Sequence, residues 1–540
     1  MDEKMSRDRV KGFLDVKDGK IVNGDGEEII LSGWGLGNWL LCEGYMWLSR
    51  GSNRFDRPRR IEAVLDELAG KEYTKEFWKK FCENYITEAD VKAMAELGYN
   101  SVRVPINYRL FMEESEELIW IEDGFAILDR FLEWCEKYRI YAFIDLHGAP
   151  GGQTGANIDD CIDDMPRLFL DQHNFDRGVA LWRRIAQRYK DRWIVGGYDL
   201  LNEPIRPKRT EKDIDVDYLV PRLIEFYEKS IEAVREIDRK HLFTLEGHHW
   251  ASEQNVFSRK YDEKAVLHFH RYGVVPDISS LQPYIDTANK WGMPLWLGES
   301  GENIPEWFAA LYPLSAELGI GYNIWPWKKM DTRNSPFSVR KPEGWEALID
   351  YCFGGPHPGY EKSRKLLDSY LENMKFENCV YNHKVHASVL RQPGCTIKAV
   401  DFDELPGIGE SFSGIRKEEN PYCYRINTYM KIVDRDPLRS RQGGFDSMWD
   451  RLALELEEGE FAVYTLNDTK EENSLRIECM AQEDSVLRIE GNGQLMREYE
   501  VDKSEKVIQL PEISLIAAGK CAIKVSAVSG SVILTDMVTS

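Results

Sequence analysis

"VGGYDLLNEP", residues 195–204, starts as a short apolar run and stops on an amide, a carboxylate and a proline. A run of this length between turn residues reads as a strand buried on both faces. A strand merely turning a corner would end more cheaply on Gly, Asn or Asp. Asn202 and Glu203 therefore have another use. Seven more stretches share the form: "EIILSGWGL" (28–36), "NSVRVPI" (100–106), "IYAFIDLHG" (140–148), "HLFTLEGH" (241–248), "AVLHFHRYG" (265–273), "PLWLGES" (294–300) and "IGYNIWPWK" (320–328). Amphipathic stretches lie between them. In "FDRGVALWRRIAQRYKDR", Val179, Trp182, Ile185, Ala186 and Tyr189 share one helical face. "ITEADVKAMAELGYN" carries a Thr87 cap and a Gly98 stop. Eight buried strands alternating with helices predict an α/β fold, a closed (β/α)8 barrel.

At 540 residues the chain exceeds one ordinary core. A barrel of about 350 residues plus a second domain accounts for it. The expected division is a barrel over 1–376 and a β-sandwich over 377–540. The 70 basic against 92 acidic side chains give a net charge of −22, which argues against nucleic acid as a partner because phosphate binding needs a basic face. The N-terminus has no apolar core of signal-peptide length, and no run of about 18 apolar residues occurs anywhere. The expectation is a soluble cytoplasmic protein without a membrane partner. The ten cysteines form no CxxC pair, a pattern of reduced core thiols.

In such a barrel the working face lies at the C-terminal strand ends. The polar residues collected there are Arg103, Asp145, His147, Asn202, Glu203, Glu246, His248, His268, His270, Tyr272 and Glu299, with Trp325 and Trp327. Glu203 ends strand four and Glu299 ends strand seven, facing each other across the mouth. Two opposed carboxylates flanked by aromatics are what glycoside hydrolysis requires. Arg103 is suited to keep Glu299 ionised and the Asn202 amide to bind a sugar 2-hydroxyl. A tryptophan offers a platform for the apolar face of a sugar ring. Trp325 and Trp327 alternate in phase on one strand, which lets both face the mouth; core packing is the competing reading for one of them, and the platform is assigned to Trp327. His268 and His147, read singly, are also compatible with plain packing.

The ordered set "SVRVP", "DLHG", "LLNEP", "HFHRY", "LGES" and "WPWK" resembles family 5 of the glycoside hydrolases over roughly residues 20–375. "GWGLGNWLLCEGYMW" and "DLHGAPGGQTG" look like its exo-β-1,3-glucanase branch, although "GANIDDCIDDMPR" (155–167) is more acidic than that branch. The resemblance implies a retaining mechanism with Glu203 as acid/base and Glu299 as nucleophile. It places Arg103, His147, Asn202, His270, Tyr272 and Trp327 around the cleaved sugar, and calls for no metal or organic cofactor. The expected activity is exo-acting hydrolysis of small β-glucosides or oligosaccharides, because the long segments 38–60 and 149–172 wall one side of the mouth. Asp145 and the run Asp159–Asp164 are possible hydroxyl contacts. Three alternatives stand beside this reading. One is an endo-acting β-glucanase. Another is a metal-dependent barrel hydrolase using "HFH" with His147 and His248, which leaves the two carboxylates and the Trp pair without a role. The third is a non-catalytic carbohydrate-binding protein, although both carboxylates are present.

Beyond about residue 376 the pattern changes to short alternating strands: "CTIKAVDFDE", "RLALELEEGEFAVYTLND", "SLRIECMA", "SVLRIEGNGQLMREYEV", "KVIQL" and "KCAIKVSAVSGSVILTDMV". Turn residues divide them at intervals of about ten, as in an antiparallel sandwich. "AVDFDE", "GEFAVYTLN" and "SGSVILTDMV" resemble the jelly-roll family 6 carbohydrate-binding modules. Without an obvious exposed aromatic pair, a purely structural role is the alternative.

Overall fold

The structure, a computed structural model, describes residues 3–436 except 209, 212 and 418, and residues 448–540 except 471, 482, 504–507, 516 and 517. Eight parallel strands close a barrel: β1 (Ser32–Gly35), β2 (Ser101–Asn107), β3 (Tyr141–Gly148), β4 (Val195–Asp199), β5 (Leu242–Glu246), β6 (Ala265–Arg271), β7 (Leu295–Gly301) and β8 (Gly321–Trp325). Closure is made by β8 against β1, with Tyr322 opposite Ser32 and Ile324 opposite Trp34. Residues of β2, β3, β4 and β5 are buried throughout, the condition that makes such strands read as unbroken apolar runs.

The helices bury the faces their sequences mark. In Gln172–Tyr189, Leu181, Trp182, Ile185, Ala186 and Tyr189 are buried, with Val179 half-buried at the margin. Helix Glu88–Glu96 starts at Thr87, whose backbone N–H donates to Asp90 Oδ2 at 2.9 Å, and Gly98 follows it at φ 93°. Under the barrel, the hydroxyl of Tyr141 donates to the carbonyls of Lys11 and Gly12, and Asn100 Nδ2 donates to the carbonyl of Met5. The N-terminal segment thereby covers the face opposite the mouth.

Two antiparallel sheets make up the C-terminal region. One runs Lys431–Asp434, Leu452–Glu457, Ser531–Thr539, Ser474–Ala481 and Ile508–Gln509, with Thr396–Lys398 and Ile513–Ser514 as additional partners; the other runs Phe461–Thr469, Gly519–Ser529, Ser485–Gly491 and Gln494–Val501. Period-two burial is plain in Ser474–Ala481, where Leu475, Ile477 and Cys479 point inward. The single stretch read as 451–468 divides into strands of different sheets, and residues 506 and 507 of "KVIQL" lie outside the described residues.

The chain stays on the barrel past residue 376, since strand Val380–Tyr381 pairs with Phe337–Val339. The two regions then meet along helix Pro305–Glu317. Its run from Trp307 to Leu314 is buried except Pro313, and a helix apolar all round needs cover on both sides. Helix His383–Val389 and strand Thr396–Lys398 supply the outer cover, fastened by Arg391 Nε to the Ala309 carbonyl at 2.7 Å. Among the described residues no helix is long and apolar enough to cross a membrane, and all ten cysteines are free thiols.

Candidate active site

β4 ends at Asp199, four residues before Glu203. The chain then leaves the sheet, Asn202 N–H donates to the Leu146 carbonyl at 3.1 Å, and Glu203 takes a left-handed backbone with φ 42°. That conformation costs a non-glycine residue about 1–3 kcal/mol and needs support from its surroundings. Support comes from Glu246 at the end of β5, whose Oε2 accepts the Glu203 N–H at 2.6 Å. Glu203 is thus a turn residue aimed by Glu246, not a strand end. This corrects the placement expected from the apolar run, because the run continues two residues beyond the last ladder pairing.

Arg103 on β2 is the centre of the mouth and is fully buried. Its Nε donates to Asp199 Oδ2 at 2.8 Å, Nη1 to Glu299 Oε2 at 2.5 Å, and Nη2 to Asn202 Oδ1 at 2.8 Å. Asp145 and Glu246 stand 3.1 and 3.3 Å from Nη2. One guanidinium on β2 therefore orders groups from β3, β4, β5 and β7, using the donor fork that distinguishes Arg from Lys. Burial raises the pKa of two of these four acids, Asp145 and Glu246, and the site also holds further positive charge.

His270 on β6 supplies it. Burial opposes its protonation, but Glu246, Glu299 and the hydrogen bonds to Glu203 and Glu246 raise its pKa well above the usual histidine range. The protonated ring donates from Nδ1 to Glu203 Oε1 at 2.9 Å and presents Nε2 to His268 Nε2 at 3.0 Å. His268 must then accept at Nε2 and donate from Nδ1 to Asp199, 3.1 Å away. Gly298, the glycine of "LGES", exists for this contact, because a Cβ there would overlap the His268 ring.

Glu299 is buried, which works against its charge. His270, then Arg103, together with the Tyr272 hydroxyl, nevertheless hold it below the ordinary carboxylate range. Tyr272 donates to Glu299 Oε1 at 2.7 Å. His147 is pushed down to about 3 by burial and by Arg103, so it is neutral. Its Nδ1 lies 2.7 Å from Asp145 Oδ2 and its Nε2 3.2 Å from Asn202 Nδ2. With its oxygen on Arg103 and its nitrogen on His147, the Asn202 amide has one defined orientation.

Seven of the eight residues singled out in the sequence meet in this network: Glu203, Glu299, Arg103, His147, Asn202, His270 and Tyr272. Trp327 does not. β8 ends at Trp325, so period-two alternation stops there, and Trp327 turns outward to donate from Nε1 to Asp90 Oδ1 of helix Glu88–Glu96 at 3.0 Å. It is fully buried, packed edge-on against Trp34. The mouth tryptophan is Trp325, which stacks on His147 with centroids 5.4 Å apart and planes 4° apart. Asp145, Asp159 and Asp160 also differ from expectation. Asp145 serves Arg103 and His147, while Asp159 caps Thr154, Gly155 and Cys161. Asp160 is buried against Arg59, Arg109 and Asn107.

Three further acids went unassigned in the sequence: Asp199, which receives Arg103 Nε and faces His268 Nδ1, Glu246 and Glu43. Glu246 was visible at a strand end, but only the fold shows that it holds both Glu203 and His270. Glu43, after β1 in "WLLCEGYMW", is 4% exposed. Burial, then the charges of Glu299 and Glu203, raise its pKa well above the carboxylate range. Its signal was a lone acid in an apolar stretch. Among the described residues, two carboxylate–imidazole groups have ligand-type atoms within 4.8 Å of one another: Glu246, His268 and His270, and Glu203, His270 and Glu299. His147 and His248 join neither, which separates the ligand set that a metal hydrolase would draw on.

Residues 65–331 match the family model described as cellulase (glycosyl hydrolase family 5). A β-xylosidase of Phanerodontia chrysosporium is 32% identical over 308 residues, covering 54% of this chain and 61% of that protein. Endoglucanase C of Acetivibrio thermocellus is 26% identical over 320 residues, 47% of this chain and 88% of that one. A glucan 1,3-β-glucosidase of Candida oleophila is 27% identical over 315 residues, 54% and 70% of the two chains.

Proposed function

The barrel belongs to glycosyl hydrolase family 5, and on that premise we propose that the protein is a retaining β-glycosidase acting on β-glucosides, with Glu203 as acid/base and Glu299 as nucleophile. The carrying observation is the closeness of the two carboxylates, whose oxygens lie within 4.8 Å of each other in the group they form with His270. Retaining enzymes hold their carboxyl groups about 5–5.5 Å apart, whereas inverting ones leave about 6.5–9.5 Å for a water.

In the first step Glu299 attacks the anomeric carbon as Glu203 gives its proton to the departing oxygen. Asn202, its free amide proton aimed by Arg103 and His147, binds the 2-hydroxyl, and Trp325 is the platform for the sugar ring. Tyr272 holds Glu299 Oε1 in line. In the second step Glu203 takes a proton from the water that releases the sugar.

Exo action on small glucosides or oligosaccharides is the reading we favour for the substrate range. It is supported by the way the loops after β1 and β3 are tied together: Arg59 N–H and Nε bind Asp160 Oδ1 and its carbonyl at 2.9 and 2.8 Å, and Arg60 pairs with Asp164 at 2.9 Å. Two loops locked to each other in this way are suited to wall off one side of the mouth. The test is proton NMR of an aryl β-glucoside digest. Retention requires the β-anomer to appear first; initial α-anomer would overturn the mechanism.

A further inference from the structure

The loop after β6, residues 272–277, carries the Tyr272 hydroxyl that donates to Glu299 Oε1 at 2.7 Å. Its other contacts lead away from the mouth. The Val274 carbonyl accepts from Trp307 Nε1 of helix Pro305–Glu317 at 2.7 Å. Asp277 ends the loop as the cap of helix Ile278–Trp291, its Oδ2 accepting from the Ser279 hydroxyl at 2.7 Å. Asp277 is buried, and its Oδ1 has no hydrogen-bond partner among the described residues. A buried carboxylate in that state needs a cation beside it.

The cation comes from the C-terminal domain. Arg425, also buried, brings Nε to 3.9 Å from Asp277 Oδ1. Its Nη1 donates to Glu404 Oε2 at 2.8 Å. Its guanidinium carbon lies 4.7 Å from the centre of the Phe402 ring and 5.4 Å from that of Tyr424, a stacked setting that Arg tolerates and Lys does not reproduce. Tyr424 in turn donates to Asp401, and its oxygen stands 3.5 Å from the Pro276 carbonyl. Asp401 also receives Nε1 of Trp449, at the barrel mouth, at 3.1 Å. The acids facing Arg425 are thus Glu404, Asp277 and Asp401; Arg391 is the second cation that reaches Asp401, and the Arg425 charge extends to Glu317.

The loop is therefore braced from outside the barrel at both of its turns, by Trp307 at Val274 and by Arg425 at Asp277. Without the Arg425 charge, Asp277 would be buried and uncompensated, and it would have to take up a proton or swing toward water. Either response disturbs the cap and the path of the chain back to Tyr272. A hydrogen bond of 2.7 Å to Glu299 tolerates little such movement.

We propose that Arg425 of the C-terminal domain is a positioning residue for catalysis: by pairing with Asp277 it fixes the loop after β6, and with it the hydrogen bond from Tyr272 to Glu299. The inference rests on the reading of Glu299 as nucleophile and gives the second domain a part in the chemistry of the first. Around Glu299, His270, Arg103 and Tyr272 favour the charged carboxylate. Glu43, Asp145 and Glu203 are the acids beside it, and His147 is neutral. Of these groups Tyr272 alone stands on the braced loop. Loosening it withdraws a hydrogen bond from the charged form of Glu299, so the acid limb of kcat/KM moves to higher pH.

The test uses the full-length protein and an aryl β-glycoside that the wild type hydrolyses. Tyr272→Phe is expected to lower kcat about tenfold and to move the acid limb upward. Arg425→Met and Asp277→Asn should each change both quantities in the same direction by a smaller amount. In a Tyr272→Phe background, Arg425→Met should add no further shift of the acid limb. Asp277→Asn keeps the shape of the cap and reads the pair by itself if Arg425→Met does not fold. A lowered Tm with wild-type kcat and acid limb would make Arg425 a structural anchor only and overturn the proposal. So would an Arg425→Met shift as large with Phe at 272 as with Tyr. Absence of hydrolysis of every aryl β-glycoside by the wild type would instead overturn the glycosidase reading on which it depends.

Discussion

The Nδ1 of His270 lies 2.9 Å from Oε1 of Glu203 and, at 3.8 Å, is also the nearest imidazole nitrogen to Oε1 of Glu299. A single cationic ring therefore touches both groups assigned to the chemistry. It neutralises part of the negative charge that gathers around Arg103.

The two carboxylates have separable signatures. Glu299→Gly is expected to abolish turnover, and azide should restore it with an α-glycosyl azide as product, because the anion enters from the vacated face. Glu203→Ala should lower the rate with poor leaving groups by about 10²–10⁴-fold, and azide should give the β-product by attacking the trapped ester. Product anomers determined by NMR check both. The opposite pairing would exchange the two roles.

His270 should leave its mark in pH dependence. Burial raises the Glu299 pKa, but His270 is the largest of the influences that bring it below its usual value. In His270→Asn the acid limb of kcat/KM is expected to move to higher pH. Stability follows the same signs. The contribution of Glu299 is present above its unfolded pKa of about 4.3 and lost as pH falls through its lower folded value. That of His270 is complete below about pH 6.5 and lost as pH rises through its raised folded value. The Tm difference between wild type and His270→Asn should therefore shrink toward alkaline pH; a constant difference would contradict the charged ring.

The two tryptophans after β8 should behave differently. Trp327→Ala removes a fully buried side chain and is expected to cost about 3–5 kcal/mol in unfolding free energy, measured by denaturant titration. Trp325→Ala should cost about 1.5–3 kcal/mol of sugar binding, about ten- to a hundredfold in kcat/KM, with a smaller effect on stability. A larger catalytic defect in Trp327→Ala would restore the assignment made from alternation.

Gly298→Ala probes the support behind the site. The added methyl group would displace the His268 ring, and with it the partner of His270 Nε2. Activity should fall together with the acid-limb shift expected for His270→Asn. An unaltered pH profile would show that His268 does not position His270.

A chain ending at residue 376 should be insoluble or strongly destabilised. It would uncover the outer face of helix Pro305–Glu317, on which helix His383–Val389 packs. Soluble, active protein from that truncation, with an unchanged Tm, would contradict the cover argument.

The eight strands, the helical faces and the pair of carboxylates were legible in the sequence because each is a local pattern. A strand buried on both faces must be apolar along its length, and a barrel puts whatever polar residue follows it at one rim. For that reason Arg103, His147, Asn202, His270, Tyr272 and Glu299 could be gathered without coordinates. Local patterns do not state where a ladder stops. β4 ends at Asp199 and β8 at Trp325, so Glu203 became a left-handed turn residue and Trp327 a core residue. Partners distant in the chain were decided only by the tertiary structure: Glu246 under Glu203, Asp90 receiving Trp327, Asp160 turned inward on Arg59 and Arg109, and Trp449 at the barrel mouth. In each case the decisive energy is that of satisfying a buried polar group, and which donor reaches which acceptor is a property of the closed barrel and not of any segment of its sequence.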